Sequence, residues 1–174
     1  MTEAAPVISA KNVWKLFGPN PKSYLGSMEP NRSFEDIRKD GYIAGVKDVS
    51  IDGGRGEMLV IMGLSGSGKS TLVRCFCRLH EITGGTIEVE GQDIMSLGQK
   101  ELIDLRRRKM GMVFQSFGLL PHRTVLENVA FPLEMRGQER HTRRERALEV
   151  IELVGLAGRE DYFPRELSGG QQQR

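Results

Sequence analysis

Cysteine is scarce in this chain: two residues in 174, Cys75 and Cys77. That excludes a disulfide-stapled scaffold. Both fall on an expected helix, where residues two apart face different directions, so they read as reduced packing thiols rather than a bridge or a metal pair. His80, His122 and His141 lack any ligand-like spacing and read as structural or solvent-facing. No apolar run approaches the ~18 residues of a membrane-spanning helix. Charge of one sign is also missing: 25 Lys and Arg stand against 23 Asp and Glu, a net +2. Bulk electrostatics therefore give no case for nucleic acid or an anionic membrane as partner. The start, Met1-Thr2-Glu3-Ala4-Ala5-Pro6, lacks the basic and apolar regions of a signal peptide, and cytosolic residence is expected. Aromatics make up only 6%, but apolar residues reach 39% and charged ones 28%, ordinary values for one globular domain of this length.

What the chain does have is Gly63-Leu64-Ser65-Gly66-Ser67-Gly68-Lys69-Ser70-Thr71, which fits G-x-x-x-x-G-K-[ST]. An apolar run, Met58 to Met62, leads into it, and the strand–loop–helix context predicts a phosphate grip. The glycines let successive N–H groups point inward, and the following helix contributes the positive end of its dipole. Lys69 is placed to reach the β- and γ-phosphates and Ser70 to ligate Mg²⁺. A dinucleotide fingerprint is disfavoured, because Gly66-Ser67-Gly68 runs on into Lys-Ser-Thr and not x-x-Gly.

Around this loop the pattern is α/β. Val7 to Phe17 reads as an opening strand, and residues 18–45 as a surface insertion rich in Gly, Pro, Asn and charge, with a short helical possibility at Ser33 to Lys39. Val46 to Ile51 alternates as a strand. Leu72, Phe76 and Leu79 recur with helical spacing up to Thr83-Gly84-Gly85, and Thr86 to Gly91 alternates again. Met110 to Phe114 reads as another apolar strand, ending at Gln115. The basic clusters Arg106 to Lys109 and Arg143 to Arg146 are too short for a nucleic-acid patch and read as solvated faces or strand edges; the second opens a helix with Ala147, Leu148 and Ile151 on its apolar side. No internal repeat appears.

Near the end, Leu167-Ser168-Gly169-Gly170-Gln171 offers a second helix start, with Ser168 as N-cap. A hydroxyl and bare backbone N–H groups again suit a phosphate.

With both motifs in hand, nearly the whole chain resembles the ATP-binding subunits of ABC transporters. Gly63 to Thr71 matches their Walker A motif and Leu167 to Gln171 their signature motif. Phe114-Gln115 is similar to the start of their Q-loop, whose glutamine touches Mg²⁺ and the attacking water. Phe17 stands where the family places its adenine-stacking aromatic, with Trp14 as the rival. The insertion, the spelling Met62 to Gly68 and the run Phe114 to His122 resemble the ATPases of glycine betaine/proline importers. The resemblance implies a P-loop NTPase core (46–115) with N-terminal antiparallel strands and a helical subdomain (116–170). It implies ATP and Mg²⁺ as cofactors, a second ATP-binding subunit in a head-to-tail homodimer, a transmembrane permease and, indirectly, a substrate-binding protein; no nucleic acid is implied. It further implies that Leu167, Ser168, Gly169, Gly170 and Gln171 act in trans on the partner's nucleotide, and that the protein sits on the cytoplasmic face of the inner membrane.

One family element is missing. No apolar strand ending in Asp-Glu occurs in the sequence, so the Mg²⁺-binding Asp and general-base Glu are absent. The chain is therefore expected to be the N-terminal part of a longer ATPase, with turnover weak or nil, since losing a general base costs ~10²–10⁴-fold. A non-transport ABC module and a binding-only fragment are the alternatives.

Overall fold

The computed structural model describes residues 5–114 and 118–174, in two compact units, residues 1–106 and 107–174. In the first unit, β1 (Ile8–Phe17) pairs antiparallel with β2 (Ile43–Gly53) on one side and with β3 (Gly84–Val89) on the other. A two-residue β4 (Gln92–Asp93) follows β3 through a turn, giving the sheet order β2-β1-β3-β4. Burial of apolar residues drives this sheet: Ala10, Val13, Leu16, Val46, Ile87 and Val89 are buried, with the spacing on β1 stretched to three by its register shifts. The β1–β2 register slips between Ala10 and Lys15, where Asn12 and Asp48 both take left-handed φ and Asn12 donates a side-chain hydrogen bond to Asp48.

The segment between β1 and β2 is more ordered than its composition suggests. It carries α1 (Pro21–Ser27) and α2 (Phe34–Lys39). Ser33 caps α2 by accepting from the Asp36 N–H, and Ile37 is fully buried beneath it. The rings of Tyr24 and Tyr42 stack at 3.9 Å, and Tyr24 and Arg32 both donate to Asp40.

After the glycine loop comes α3 (Lys69–Phe76), with Leu72 and Cys75 buried. It is shorter than the spacing predicts: Arg78 adopts φ 50°, and the chain leaves the helix well before Gly84 opens β3. A helix invisible to the apolar pattern, α4 (Gln99–Lys109), carries the basic cluster. Arg106 is not a solvated or strand-edge residue. Its guanidinium donates to the carbonyls of Cys77 and Arg78 just past the end of α3, where a cation meets the negative pole of that helix.

Two expected strands are not formed. Met58 to Met62 and Met110 to Phe114 carry no regular secondary structure and belong to no sheet among the described residues. Met58 is 88% exposed, Val60 63% and Val113 99%. An apolar run reads as an interior parallel strand only if neighbours exist on both edges and both faces. No described residue supplies those ladder partners, so the run alone cannot make the strand.

The second unit is helical. Thr124 and Glu127 form a capping box at the start of α5 (Val125–Met135), and α6 (Arg140–Leu153) packs against α5. Val125, Ile151, Leu156 and Leu167 form its buried core, with Leu126, Val129 and Val154 packed against it. A single 3₁₀ turn (Pro164–Glu166) leads into the short α7 (Gly169–Gln172). Among the described residues, no helix is long and apolar enough to cross a membrane.

Candidate functional site

Gly63 to Ser67 lie exposed at the surface of the first unit, and Gly68 closes the loop as the N-cap of α3 with φ 89°. Gly66 is also left-handed, at φ 79°. Such φ values strain any residue with a Cβ, so the motif's glycines are where the backbone demands them. A Cβ at Gly68 would also collide with the Gly45 carbonyl of β2, so the loop sits hard against that strand. Lys69 begins α3, and its ammonium folds back to donate to the carbonyls of Gly63 (2.9 Å) and Leu64 (2.7 Å), with Ser67 Oγ at 3.4 Å. The lysine thus spans the loop mouth, where a phosphate chain would exchange with those carbonyls. Ser70 and Thr71 occupy the first turn; Ser70 is exposed and free to reach a metal. The first N–H groups of α3 have no intrahelical acceptor, which leaves donors for an anion.

Phe17, at the end of β1, lies beside this helix start. A Cβ built on Gly45 would stand 2.8 Å from Phe17 Cε2 and 2.9 Å from Thr71 Cγ2, so glycine lets ring, strand and helix meet. The ring is 37% exposed, with Lys15 Nζ 4.7 Å from its centroid and His80 edge-on at 5.6 Å. Burial, and next the charges of Lys15 and Arg74, lower the His80 pKa and keep the imidazole neutral against the ring. Trp14, the rival aromatic, is paired instead with Gly84 on the β3 side. Sequence reasoning missed Gly45, which the β1–β2 register brings to Phe17, and His80, which arrives from the turn after α3; Lys15 was within reach of it, since two residues apart on one strand share a face.

Gln115 lies outside the described residues. In the second unit, Ser168 caps α7: its Oγ accepts from the Gln171 N–H at 3.3 Å, and Gln171 Oε1 accepts from the Ser168 N–H at 2.9 Å. Gln172 pins the turn by donating to the Pro164 and Leu167 carbonyls. Gly169 and Gly170 are exposed, whereas Leu167 is buried in the core and its N–H and carbonyl are both used within the turn, so this residue anchors the motif. Cys75 is fully buried, and burial pushes its thiol up to about 11, which makes it inert packing. No cluster of His, Cys, Asp or Glu suited to a metal exists among the described residues.

The ABC transporter family model matches residues 46–174. This chain belongs to the ABC transporter family. The trimethylamine N-oxide transport system ATP-binding protein of Ruegeria pomeroyi is 81% identical over 170 residues, covering 98% of this chain and 50% of the relative. Its counterpart in Pelagibacter ubique is 56% identical, over 97% of this chain and 50% of the relative. The glycine betaine/proline betaine transport ATP-binding protein of Escherichia coli is 47% identical, over 96% of this chain and 42% of the relative. Among solved structures, a dimeric ATP-binding cassette in a post-hydrolysis state with ADP and Pi superposes with a TM-score of 0.76 at 34% identity, covering 95% of this chain and 65% of that one. The chain thus spans about half the length of the curated relatives it matches. The fold is that of a P-loop ABC cassette.

Proposed function

We propose that this chain is part of the ATP-binding subunit of an ABC importer for small trimethylammonium-type solutes, coupling ATP binding and hydrolysis to transport. The observation that carries the ATP-binding reading is the loop itself: left-handed glycines deliver Lys69 and Ser70 to the first turn of α3, and the Lys69 ammonium sits across the loop mouth. In this reading Gly63 to Gly68 wrap the phosphates with backbone N–H groups, Lys69 neutralises the β- and γ-oxygens, and Ser70 with Gln115 holds Mg²⁺. The Lys69, Ser70 and loop donors fit an ATP–Mg²⁺ ligand set: one fixed cation, one exposed hydroxyl and unsatisfied helix-start donors. Mg²⁺, when bound, would supply neutralisation of the phosphate charge. Phe17 offers its face to adenine, and Ser168, Gly169 and Gly170 close over the γ-phosphate of a second subunit. Two dimeric structures of one cassette among the structural neighbours support the dimer.

For the solute, the names of the relatives support trimethylamine N-oxide ahead of glycine betaine: 81% and 56% identity to ATP-binding proteins of the former system against 47% to one of the latter. The partners follow as a membrane permease and a solute-binding protein, and the position as the cytoplasmic face of the membrane. Solute uptake in a strain deleted for the full-length gene tests this. Complementation with the parent gene restores trimethylamine N-oxide uptake, and Lys69→Ala does not. Betaine uptake restored with no trimethylamine N-oxide uptake would refute the solute assignment; full uptake with Lys69→Ala would refute the ATPase role.

A further inference from the structure

The hairpin of β1 and β2 is open at its Phe17 end. Phe17 is the last residue of β1 and pairs with Ile43, the first of β2, and residues 18–42 lie between them. A connection of that length leaves a hairpin end free to fray unless something closes it. Here the connection closes on itself and on the sheet. The Tyr42 ring covers Gly18, the residue that follows Phe17, so closely that a Cβ there would overlap the ring's Cδ1. The Tyr42 hydroxyl donates to the Pro19 carbonyl at 2.7 Å, and its N–H donates to the Ile37 carbonyl at 3.0 Å. Tyr24 stacks on the Tyr42 ring at 3.9 Å, and its hydroxyl donates to Asp40, which Arg32 also engages. Leu25 of α1 lies against Gly84 of β3, where a Cβ would stand 2.6 Å from the leucine Cδ2, and Ile37 anchors α2 by full burial. The segment is therefore tied to the exit of β1 at Gly18 and Pro19, and to the sheet at Gly84.

We propose that Tyr42 is a positioning residue for the nucleotide base: by holding Gly18 and Pro19 it fixes the strand end that carries Phe17, and the segment between β1 and β2 is the brace behind it. This rests on the reading of Phe17 as the surface on which adenine stacks. The Phe17 ring is partly exposed, so core packing does not set its position from all sides. Gly45, Thr71 and His80 bound the ring from β2, α3 and the turn after α3, while Tyr42 holds the chain just beyond it. A stacking surface fixed before the base arrives spares the ordering that a frayed strand end would undergo on binding. The hydrogen bonds and ring contacts of Tyr42 run to Pro19, Ile37, Tyr24 and Gly18, none of them in the phosphate loop. Its effect therefore falls on the base and not on the phosphates.

Titration of the full-length protein with ATP–Mg²⁺ and with inorganic tripolyphosphate–Mg²⁺ separates the two. Tyr42→Ala is expected to weaken ATP binding about two- to tenfold, the share a stacked base contributes, and tripolyphosphate binding less than about twofold. Tyr42→Phe keeps the ring over Gly18 and is expected to retain most of the ATP affinity. Tyr42→Ala added to Phe17→Ala should lose no more than Phe17→Ala alone, because both act through one ring. Tyr24→Ala, which leaves Tyr42 in place, serves if the Tyr42 variant melts early without nucleotide; a smaller loss confined to ATP is then expected. Unchanged ATP affinity in Tyr42→Ala, equal losses for ATP and tripolyphosphate, or a further loss on top of Phe17→Ala would overturn the proposal. Unchanged ATP affinity in Phe17→Ala would instead overturn the reading of Phe17 on which it depends.

Discussion

Replacing Gly45 with alanine tests the junction of β1, β2 and α3 with a single methyl group. The added Cβ would stand 2.8 Å from Phe17 Cε2 and 2.9 Å from Thr71 Cγ2. Carbon atoms settle near 3.5–4.0 Å, so the ring must retreat by about 0.7 Å and the Thr71 methyl by a similar amount. Overpacking in a tight site costs about 1–3 kcal/mol. Phe17 is partly exposed and can swing outward, whereas Thr71 is held in the first turn of α3, so a cost of about 1 kcal/mol is expected. The outward swing also removes Phe17 from its place beside the helix start. If adenine stacks on that ring, ATP affinity falls by a stacking contribution of about 0.5–1.5 kcal/mol, or about two- to tenfold. Urea unfolding of the full-length protein reads the first quantity, and titration with a fluorescent ATP analogue reads the second. Phe17→Ala should lose the same affinity, and Gly45→Ala combined with Phe17→Ala should lose little more, because both act on one contact. Additive losses in the double variant, or Gly45→Ala with unchanged stability and affinity, would refute the geometry.

Ile151→Ala in the fully buried core of the second unit is expected to cost about 2–5 kcal/mol, and Ile151→Val about 0.5–1.5 kcal/mol, by urea unfolding. Arg123 donates to Glu134 at 2.8 Å and holds its carboxyl below the ordinary carboxylate range. A depressed folded-state pKa gives stability that is present above the ordinary value of 4.5 and is lost as pH falls through the folded one, so Glu134→Gln should flatten the acid limb of the stability profile below pH 4.5. Cys75, pushed up to about 11 by burial, carries the opposite sign: its contribution is lost as pH rises from 9.0 towards 11. Iodoacetamide with mass spectrometry should label the half-buried Cys77 before Cys75, and equal rates would show that α3 opens readily.

The chemistry-bearing loop was legible because everything it needs is local. Nine consecutive residues contain the glycines for left-handed φ, the cation and the hydroxyl, and no distant contact is required to recognise them. Local hydrogen bonding also made Ser168 readable as a cap, four residues sufficing to form the box with Gln171. Helix α4 was not legible. Its buried face amounts to Leu102 in a run of charged residues, so no apolar stripe announces it.

Sequence alone therefore determined the glycine loop, the capped start at Ser168 and the strands β1, β2 and β3. Each depends on interactions between neighbours in the chain or on a period of two. Tertiary structure decided the rest. It brought Gly45 to Phe17 through a register that slips at Asn12 and Asp48, and it turned Arg106 from an apparent surface charge into the clasp at the end of α3. It also left Met58 to Met62 and Met110 to Phe114 without sheet partners among the described residues. A strand is a property of a pair, and hydrophobic sequence supplies only one member of it.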